Sequence, residues 1–130
     1  MTVLDASVVI ALLDSTDAHH DAARQAVRAT VAAGQPLQCS PITLAEILVR
    51  PARRGRLPET EHALKQLGIE TLHLSTDAAS RLALLRAETG MKLPDCCVLL
   101  AALQSAAQLI TFDDALAKAA TRLGLTGPQA

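Results

Sequence analysis

Short apolar runs alternate along the chain with longer segments in which apolar residues recur at helical spacing. The runs have the length and composition of buried strands: Val3-Leu4, Pro36 to Ser40, Ile69 to Leu74 and Leu109 to Thr111. The connections between them are long enough for right-handed crossovers. The pattern therefore predicts an α/β fold, with a central parallel sheet of four to five short strands and helices on both faces.

The segments between the strands contain the signals that begin and end helices. Helices are predicted from Ser7 onward, over Ala18 to Ala33, from Ser40-Pro41 to Pro51, over Pro58 to Leu67, from a Ser75 cap to about Thr89, over Cys96 to Ala107, and from Asp113 to Gly124. The Cys96 to Ala107 segment is apolar nearly all round, which indicates a helix buried on most sides. Pro51 is expected to end its helix, and the arginines around it are expected in a loop: Arg50, Arg53, Arg54 and Arg56.

The chain of 130 residues is long enough for one domain with a substantial core and too short for two. The domain is predicted over residues 1–125, followed by a loose tail over residues 126–130. Half of the residues are hydrophobic, but the chain has no Trp or Tyr and a single Phe, Phe112. The core is therefore expected to consist of Ala, Leu, Val and Ile side chains.

The net charge of −1 gives no overall attraction to polyanions, so any nucleic-acid site would have to be a local basic patch. No apolar run is long enough to span a bilayer, and the N-terminus lacks the pattern of a signal peptide, so we expect a cytoplasmic protein. Cys39, Cys96 and Cys97 are odd in number and lack C-x-x-C spacing, which argues against disulfides and zinc. We expect them to be small buried hydrophobes.

A carboxylate, Asp5, interrupts the first apolar run, and burial of a charge without a partner is costly. Ligands of parallel α/β sheets bind at the carboxyl ends of the strands, where Asp5 and Asp113 are expected. Asp95 would open the buried helix, and Glu46 would reach inward from the apolar helix after the second strand. Carboxylates this close would raise one another's pKa unless a hard cation lay between them, and oxygen ligands suit Mg²⁺ or Mn²⁺.

Helix capping is the alternative explanation for two of these acids. Asp95 and Asp113 could serve only as N-caps, which is the commonest role of aspartate at a helix start. Capping does not explain Glu46, which lies within an apolar helix, and it is a strained explanation for Asp5. We therefore interpret the four acids as one site.

With these motifs the sequence resembles the PIN-domain ribonucleases, and among them the VapC-type toxins of bacterial toxin–antitoxin pairs. The resemblance covers almost the whole chain, and four motifs carry it: Asp5-Ala6-Ser7, Leu44-Ala45-Glu46-Ile47-Leu48, Lys92-Leu93-Pro94-Asp95 and Thr111-Phe112-Asp113. No single motif is specific, but their order and spacing together are. Ala6 stands where Thr is frequent, and Phe112 where a polar residue is common. The neighbouring Asp114 competes with Asp113 as the fourth acid, and the Thr-x-Asp register favours Asp113.

The resemblance implies a single PIN-like domain that acts as a metal-dependent endoribonuclease. Asp5 and Asp95 would bind Mg²⁺ or Mn²⁺ most directly, Glu46 directly or through water, and Asp113 likewise or with a second ion. Ser7 and Thr111 would form hydrogen bonds that orient carboxylates or metal-bound water. The resemblance also implies an RNA substrate, a cognate antitoxin that masks the site, and a homodimer.

Positive charge is expected at the rim of an acidic site that receives RNA. Arg50, Arg53, Arg54 and Arg56 are the candidates for backbone contacts, with an ordinary solvated arginine loop as the alternative. Because the chain has a single Phe, extensive base stacking is not expected. His19 and His20 are expected at the surface, since adjacent helical positions point about 100° apart and do not easily bind one ion.

Three other functions compete with this interpretation. A phosphatase or dehalogenase type of metal-dependent α/β phosphohydrolase also begins with a strand ending in Asp, but its second Asp is replaced here by Ser7. A receiver-type signalling domain would need an acidic pair after the first strand and a late Lys, and neither is present. The third is a non-catalytic PIN-like binding module, against which the presence of all four acids argues.

Overall fold

Helices and strands alternate along the chain in the computed structural model, which describes residues 1–125. The elements, in chain order, are β1 (Thr2–Leu4), α1 (Ala6–Leu13), α2 (His20–Ala32), β2 (Leu37–Cys39), α3 (Pro41–Arg53), α4 (Leu57–Gln66), β3 (Ile69–Thr71), α5 (Ala78–Thr89), α6 (Leu93–Ser105), β4 (Gln108–Ile110) and α7 (Asp114–Arg122). The predicted loose tail, residues 126–130, lies outside the described residues.

The four strands form one parallel sheet in the order β3-β2-β1-β4. Val3 pairs with Gln38 of β2 on one side and with Leu109 of β4 on the other. The first strand is therefore central, with neighbours on both sides. The prediction of an α/β fold with a parallel sheet is confirmed, with four strands.

Each face of the sheet is covered by its own hydrophobic cluster, because successive strand residues point to opposite faces. Val3 and Leu109 pack on one face with α5, α6 and α7. Leu4 and Ile110 pack on the other face with α1, α2, α3 and α4. Helices thus lie on both faces, as predicted.

The most apolar helix is also the most deeply buried. Residues Cys96 through Ala102 of α6 are all buried, as its lack of a polar face predicted. The third cysteine, Cys39, is buried in β2, and all three are free thiols. Their prediction as small buried hydrophobes is confirmed.

The start of α3 follows the sequence, and its end does not. Ser40 caps the helix, with its Oγ accepting a hydrogen bond from the Thr43 backbone N–H at 3.2 Å, and Pro41 is the first helical residue. Pro51, however, lies inside α3 and does not end it. So near the last turn, a proline removes a single intrahelical hydrogen bond, and the chain continues in helical conformation to Arg53.

The arginines around Pro51 therefore lie at a junction of two helices and not in a free loop. Arg50 and Arg53 are in the last turn of α3, Arg54 is its C-cap, and Arg56 directly precedes α4. All four are exposed. Within residues 1–125, the only ion pair of Lys or Arg with a carboxylate joins Arg56 Nη1 to Glu59 Oε2 at 4.0 Å.

Several further boundaries differ from the predictions, among them the starts of α2 and α6. Ser75 does not cap α5, because its hydroxyl donates to the Asp77 carboxylate at 2.6 Å and the helix begins only at Ala78. The strand predicted to reach Leu74 ends at Thr71, which is the residue paired with Cys39 at the end of β2. A strand is not extended beyond its partner, so the length of β2 limits that of β3. Within residues 1–125, none of the helices has the length and apolar character needed to cross a membrane.

Candidate active site

Asp5 lies at the carboxyl end of the central strand, between β1 and α1. The residue is only 7% exposed, and both carboxylate oxygens are hydrogen-bonded. Oδ1 accepts from the Ala6 backbone N–H, and Oδ2 accepts from the hydroxyls of Ser7 and Thr111, each at 2.8 Å. These donors offset the cost of placing a charge at the end of an apolar strand.

The two hydroxyls that bind Asp5 also accept hydrogen bonds from the turn after β4. Ser7 Oγ accepts from the Phe112 backbone N–H at 3.2 Å, and Thr111 Oγ1 accepts from the Asp113 backbone N–H at 3.0 Å. Each hydroxyl has one proton, so accepting from the backbone leaves that proton for Asp5. The network joins the ends of β1 and β4 and fixes the orientation of the Asp5 carboxylate.

Asp113 is the N-cap of α7, with Oδ1 accepting from the Leu116 backbone N–H at 3.0 Å. It also contributes to the electrostatic environment of Asp95, as described next. Its neighbour Asp114 is the first residue of α7. Asp113 is therefore both a cap and a member of the acidic group.

Asp95 is the third residue of α6 and is half-buried. The N-cap of that helix is Lys92, without a side-chain capping hydrogen bond, so capping does not explain Asp95. Partial burial raises the pKa of Asp95, the charges of Asp5 and Asp113 raise it further, and Lys92 opposes them. The α6 helix thus brings this acid to the same end of the sheet.

Glu46 projects from α3 toward the same group of acids, although it is exposed. The buried residues of α3 are Thr43 and Ile47, so Glu46 lies beside the buried face and does not reach into the core. The pKa of Glu46 is raised by partial withdrawal from water and then by the charges of Asp5 and Asp95. Glu46 was predicted to reach inward from α3; the residue is exposed, but it lies close enough to Asp5 and Asp95 for their charges to raise its pKa.

The charges of the four acids therefore act on one another across several elements of the fold. Asp5 and Asp95 act on Glu46, and Asp5 and Asp113 act on Asp95. Within residues 1–125, no three Asp, Glu, His or Cys side chains converge tightly enough in this conformation to hold a metal ion. The donors themselves are hard carboxylate oxygens, and a divalent cation would relieve the repulsion that, after burial, raises the pKa of Glu46 and Asp95. Their chemistry fits Mg²⁺ or Mn²⁺.

The cysteines near these acids are not suited to serve as ligands. Burial, followed by the charge of Asp5, raises the pKa of Cys39 to about 12. Burial also raises the pKa of Cys97, with smaller contributions from Cys96 and Glu46. Both therefore remain neutral thiols, which are poor partners for a hard cation.

Two basic residues lie about one helical turn from two of the acids. Arg50 follows Glu46 by one helical turn and so shares its face of α3. Lys92 lies close enough to Asp95 to lower its pKa against the other contributions. Sequence reasoning named Arg50 but missed Lys92, which its spacing of three residues before Asp95 at a helix start could have indicated.

The two adjacent histidines have different environments. His20 is half-buried, and its Nδ1 is hydrogen-bonded to the Ala11 carbonyl oxygen at 2.8 Å, which joins α2 to α1. His19 is exposed, as expected, but its ring stacks on Phe112, with the centroids 4.5 Å apart and the planes inclined by 16°. That contact between distant parts of the chain has no signal in the sequence.

The chain is similar to known proteins in both sequence and fold. The profile of the PIN domain family matches residues 2–122. A search of curated proteins finds no significant match. Solved structures with the same fold include a toxin–antitoxin complex from Klebsiella pneumoniae, with 29% identity, a TM-score of 0.71 and 87% of each chain covered.

Two more distant structures show the same fold. VapC20 from Mycobacterium tuberculosis, a toxin that cleaves the sarcin–ricin loop, is 20% identical, with a TM-score of 0.71 over 92% of this chain and 95% of that one. VapBC2 from Rickettsia felis, bound to a DNA fragment from its promoter, is 15% identical, with a TM-score of 0.74 over 98% and 97%. The resemblance drawn from the sequence motifs is confirmed, and the chain belongs to the PIN domain family.

Proposed function

We propose that the chain is a Mg²⁺- or Mn²⁺-dependent endoribonuclease that hydrolyses RNA phosphodiester bonds as the toxin of a toxin–antitoxin pair. The observation that carries the proposal is the Asp5 carboxylate, which is fixed by hydrogen bonds at the end of the central strand and whose charge, after partial burial, raises the pKa of both Glu46 and Asp95. Membership of the PIN domain family supports a nuclease over the other α/β hydrolases.

In this proposal each acid has a distinct part in holding the ion. Asp5 and Asp95 would hold it most directly, Glu46 would complete the site from α3, and Asp113 would contribute from the start of α7. When bound, the ion supplies a Lewis acid that activates water for attack and offsets the charge that develops on the scissile phosphate. The hydroxyls of Ser7 and Thr111 position the Asp5 carboxylate through the hydrogen bonds that they donate to Oδ2.

RNA would approach this acidic group along its basic rim. Arg50 is the best-placed of the sequence candidates because it shares a helix face with Glu46, and Lys92 lies close enough to Asp95 to lower its pKa. Arg53, Arg54 and Arg56 extend the positive charge along the junction of α3 and α4. Such contacts to phosphates would hold the RNA without selecting its sequence.

The test is RNA cleavage by the unmodified chain beside Asp95→Asn and Asp5→Ala, each with Mg²⁺, Mn²⁺ or EDTA. Loss of a ligand or of the ion should reduce the cleavage rate on the order of 1,000-fold, because several kcal/mol of charge stabilisation are removed. Asp114→Asn is the matched control and should cleave like the unmodified chain. Cleavage that persists in EDTA or in Asp95→Asn would contradict the proposal and favour a non-catalytic binding module or other chemistry.

A cognate antitoxin and a second copy of the chain are the proposed protein partners. Large apolar side chains remain exposed on α1, which follows Asp5, and on α3, which contains Glu46, namely Ile10, Leu13, Ile42 and Val49. Ile42, Glu46 and Val49 lie on one face of α3, so a protein covering this patch would also cover the site. The similar structure from Klebsiella pneumoniae is of a toxin–antitoxin complex, which supports this assignment.

Co-expression with the short open reading frame next to the gene tests the antitoxin. We expect the two proteins to co-purify and RNA cleavage to fall in the complex. Replacing Val49 with Asp should break the complex while the isolated chain still folds, because Val49 is exposed. Size-exclusion chromatography of the isolated chain tests the homodimer, and a monomer at all concentrations would contradict it.

A further inference from the structure

The turn between α1 and α2 holds the His19 ring in a defined position. Asp14 accepts hydrogen bonds from the Thr16 backbone N–H and hydroxyl, at 2.9 and 2.6 Å. Asp17 then accepts from the His19 backbone N–H at 2.8 Å, and its Oδ1 lies 3.8 Å from His19 Nδ1. Together with the bond from His20 to Ala11, these contacts fix the turn against α1.

Phe112 provides the other support for the His19 ring. The near-parallel stack of the two rings covers one face of the imidazole, while the His19 side chain remains 58% exposed. The uncovered face and edge of the ring therefore point to solvent. Phe112 is the only residue of the types Phe, Trp and Tyr in the chain. It is partly buried and packs against the hydrophobic cluster between the sheet and helices α1 to α4.

The stacked pair is linked to the acidic group through Ser7. The Phe112 backbone N–H donates to Ser7 Oγ at 3.2 Å, and Ser7 Oγ donates to Asp5 at 2.8 Å. Phe112 also lies between Thr111, which binds Asp5, and Asp113 in the chain. The stacked pair is thus attached, through Ser7, to the hydrogen bonds that hold Asp5, and we expect the His19 ring to flank the position where the scissile phosphate would bind.

A nucleobase is a suitable ligand for an exposed aromatic face that flanks a phosphate site. Unpaired bases stack on aromatic side chains, including His, whereas paired bases in a duplex are already stacked. A ring that is held in place beforehand loses little conformational entropy on binding. The stack also lies at the turn between α1 and α2, which contains Asp14. Hydrogen bonds from Thr16 lower the pKa of Asp14, and the charge of Arg50 lowers it by a smaller amount, so Arg50 lies near this turn.

We propose that the face of His19 turned away from Phe112 stacks on one unpaired nucleobase of the RNA, next to the scissile phosphate. The inference rests on the proposed function and assigns it a specificity residue. His19 binds the substrate and takes no part in the chemistry. The site therefore favours RNA in which the base beside the cleaved bond is unpaired.

Fluorescence of 2-aminopurine tests the stack, because its emission is quenched when it stacks on an aromatic ring. The probe is a short single-stranded RNA with one 2-aminopurine placed at successive positions, bound to the Asp95→Asn chain so that it is not cut. We compare this chain with versions that also contain His19→Ala, His19→Phe or, as a control, His62→Ala. His62 is an exposed histidine on α4.

Quenching should be confined to one or two probe positions, disappear in His19→Ala, return in His19→Phe and be unchanged in His62→Ala. The RNA affinity of His19→Ala should fall about tenfold, which corresponds to the loss of one base stack. Quenching that is unchanged in His19→Ala, or that His19→Phe does not restore, would overturn the inference. Circular dichroism and thermal unfolding of each variant identify any that fails to fold, and His19→Phe then decides the result.

Cleavage is measured separately with Asp95 intact, so that failure of the two proposals can be distinguished. Quenching that depends on His19 without any metal-dependent cleavage would refute the nuclease and leave the base stack in place. Cleavage with an unchanged Michaelis constant and no quenching by His19 would refute the stack and leave the nuclease.

Discussion

Asp5 and the pair of Glu46 and Asp95 represent two ways of placing a carboxylate in one site. Asp5 is buried, and the fold supplies three donors for its two oxygens. Asp95 is half-buried, Glu46 is exposed, and nearby acids help to raise the pKa of both. Asp5 is thus part of the folded framework, whereas the other two carry a repulsion that the framework leaves unresolved. We infer that Asp5 contributes to the stability of the fold by itself, and that a bound cation would relieve the repulsion among the others.

The largest effect that tests this difference is on stability without metal. In EDTA, Asp5→Asn should lower the free energy of unfolding by about 2 kcal/mol, because an amide nitrogen cannot accept the hydrogen bonds that a charged oxygen accepts. Asp95→Asn should leave that free energy unchanged or raise it, because it removes a repelling charge. Urea unfolding of both variants measures the contrast. Equal destabilisation by the two substitutions would refute it.

Added Mg²⁺ should stabilise the unmodified chain more than Asp95→Asn. An ion at ten times its dissociation constant stabilises the unmodified chain by about 1.4 kcal/mol if it binds only the folded state. The increase should be smaller in Asp95→Asn, which lacks a ligand, and should be retained in Asp114→Asn. An equal increase in all three proteins would mean that the ion binds elsewhere.

The hydroxyls that hold Asp5 are tested by the cleavage rate. Thr111→Val keeps the shape of the side chain but removes the donor to Asp5 and the acceptor for the Asp113 N–H. Residues that orient metal ligands typically contribute 10- to 100-fold, so we expect the cleavage rate to fall by about that factor. Thr111→Ser should restore most of the rate.

Thr121→Val is the matched control for that substitution. Thr121 is exposed on α7, and its hydroxyl donates only to the Ala117 carbonyl oxygen of its own helix. Its replacement should leave the cleavage rate unchanged. Similar losses in Thr111→Val and Thr121→Val would indicate general damage to the fold.

Much of the fold was readable in the sequence because local and global signals agree. The apolar runs became the four strands, and Ser40-Pro41 became a capped helix start whose bonds involve only neighbouring residues. The errors arose where tertiary structure decides. The end of β3 depends on the length of β2, and the continuation of α3 through Pro51 depends on its place near a helix end.

The site shows the same division between local and distant information. The four candidate acids were predicted from their order along the chain, but the sequence does not distinguish a cap from a charge partner. Asp95, which could have been a cap, is not one, while Asp113 is a cap and also a charge partner of Asp95. The stack of His19 on Phe112 could not be predicted, because it depends on how two separate turns pack together.

The smallest effects are expected from the arginines, which lie outside the acidic group. Each arginine that contacts a phosphate should contribute about 0.7 to the slope of log affinity against log salt concentration for single-stranded RNA. Arg50→Ala should lower that slope most clearly, because Arg50 shares the Glu46 face of α3. Arg122→Ala, at the exposed end of α7, is the control and should leave the slope unchanged.

Arg56 should have less influence than Arg50, although both belong to the same cluster. Its guanidinium lies 4.0 Å from Glu59, so part of its charge is already offset, even though an exposed pair of this kind contributes little to stability. Measuring RNA binding by Asp95→Asn over a series of KCl concentrations separates the two residues. If Arg50→Ala and Arg122→Ala gave the same slope, the arginines would be an ordinary solvated surface, and the RNA would have to approach the acids from the side of Lys92.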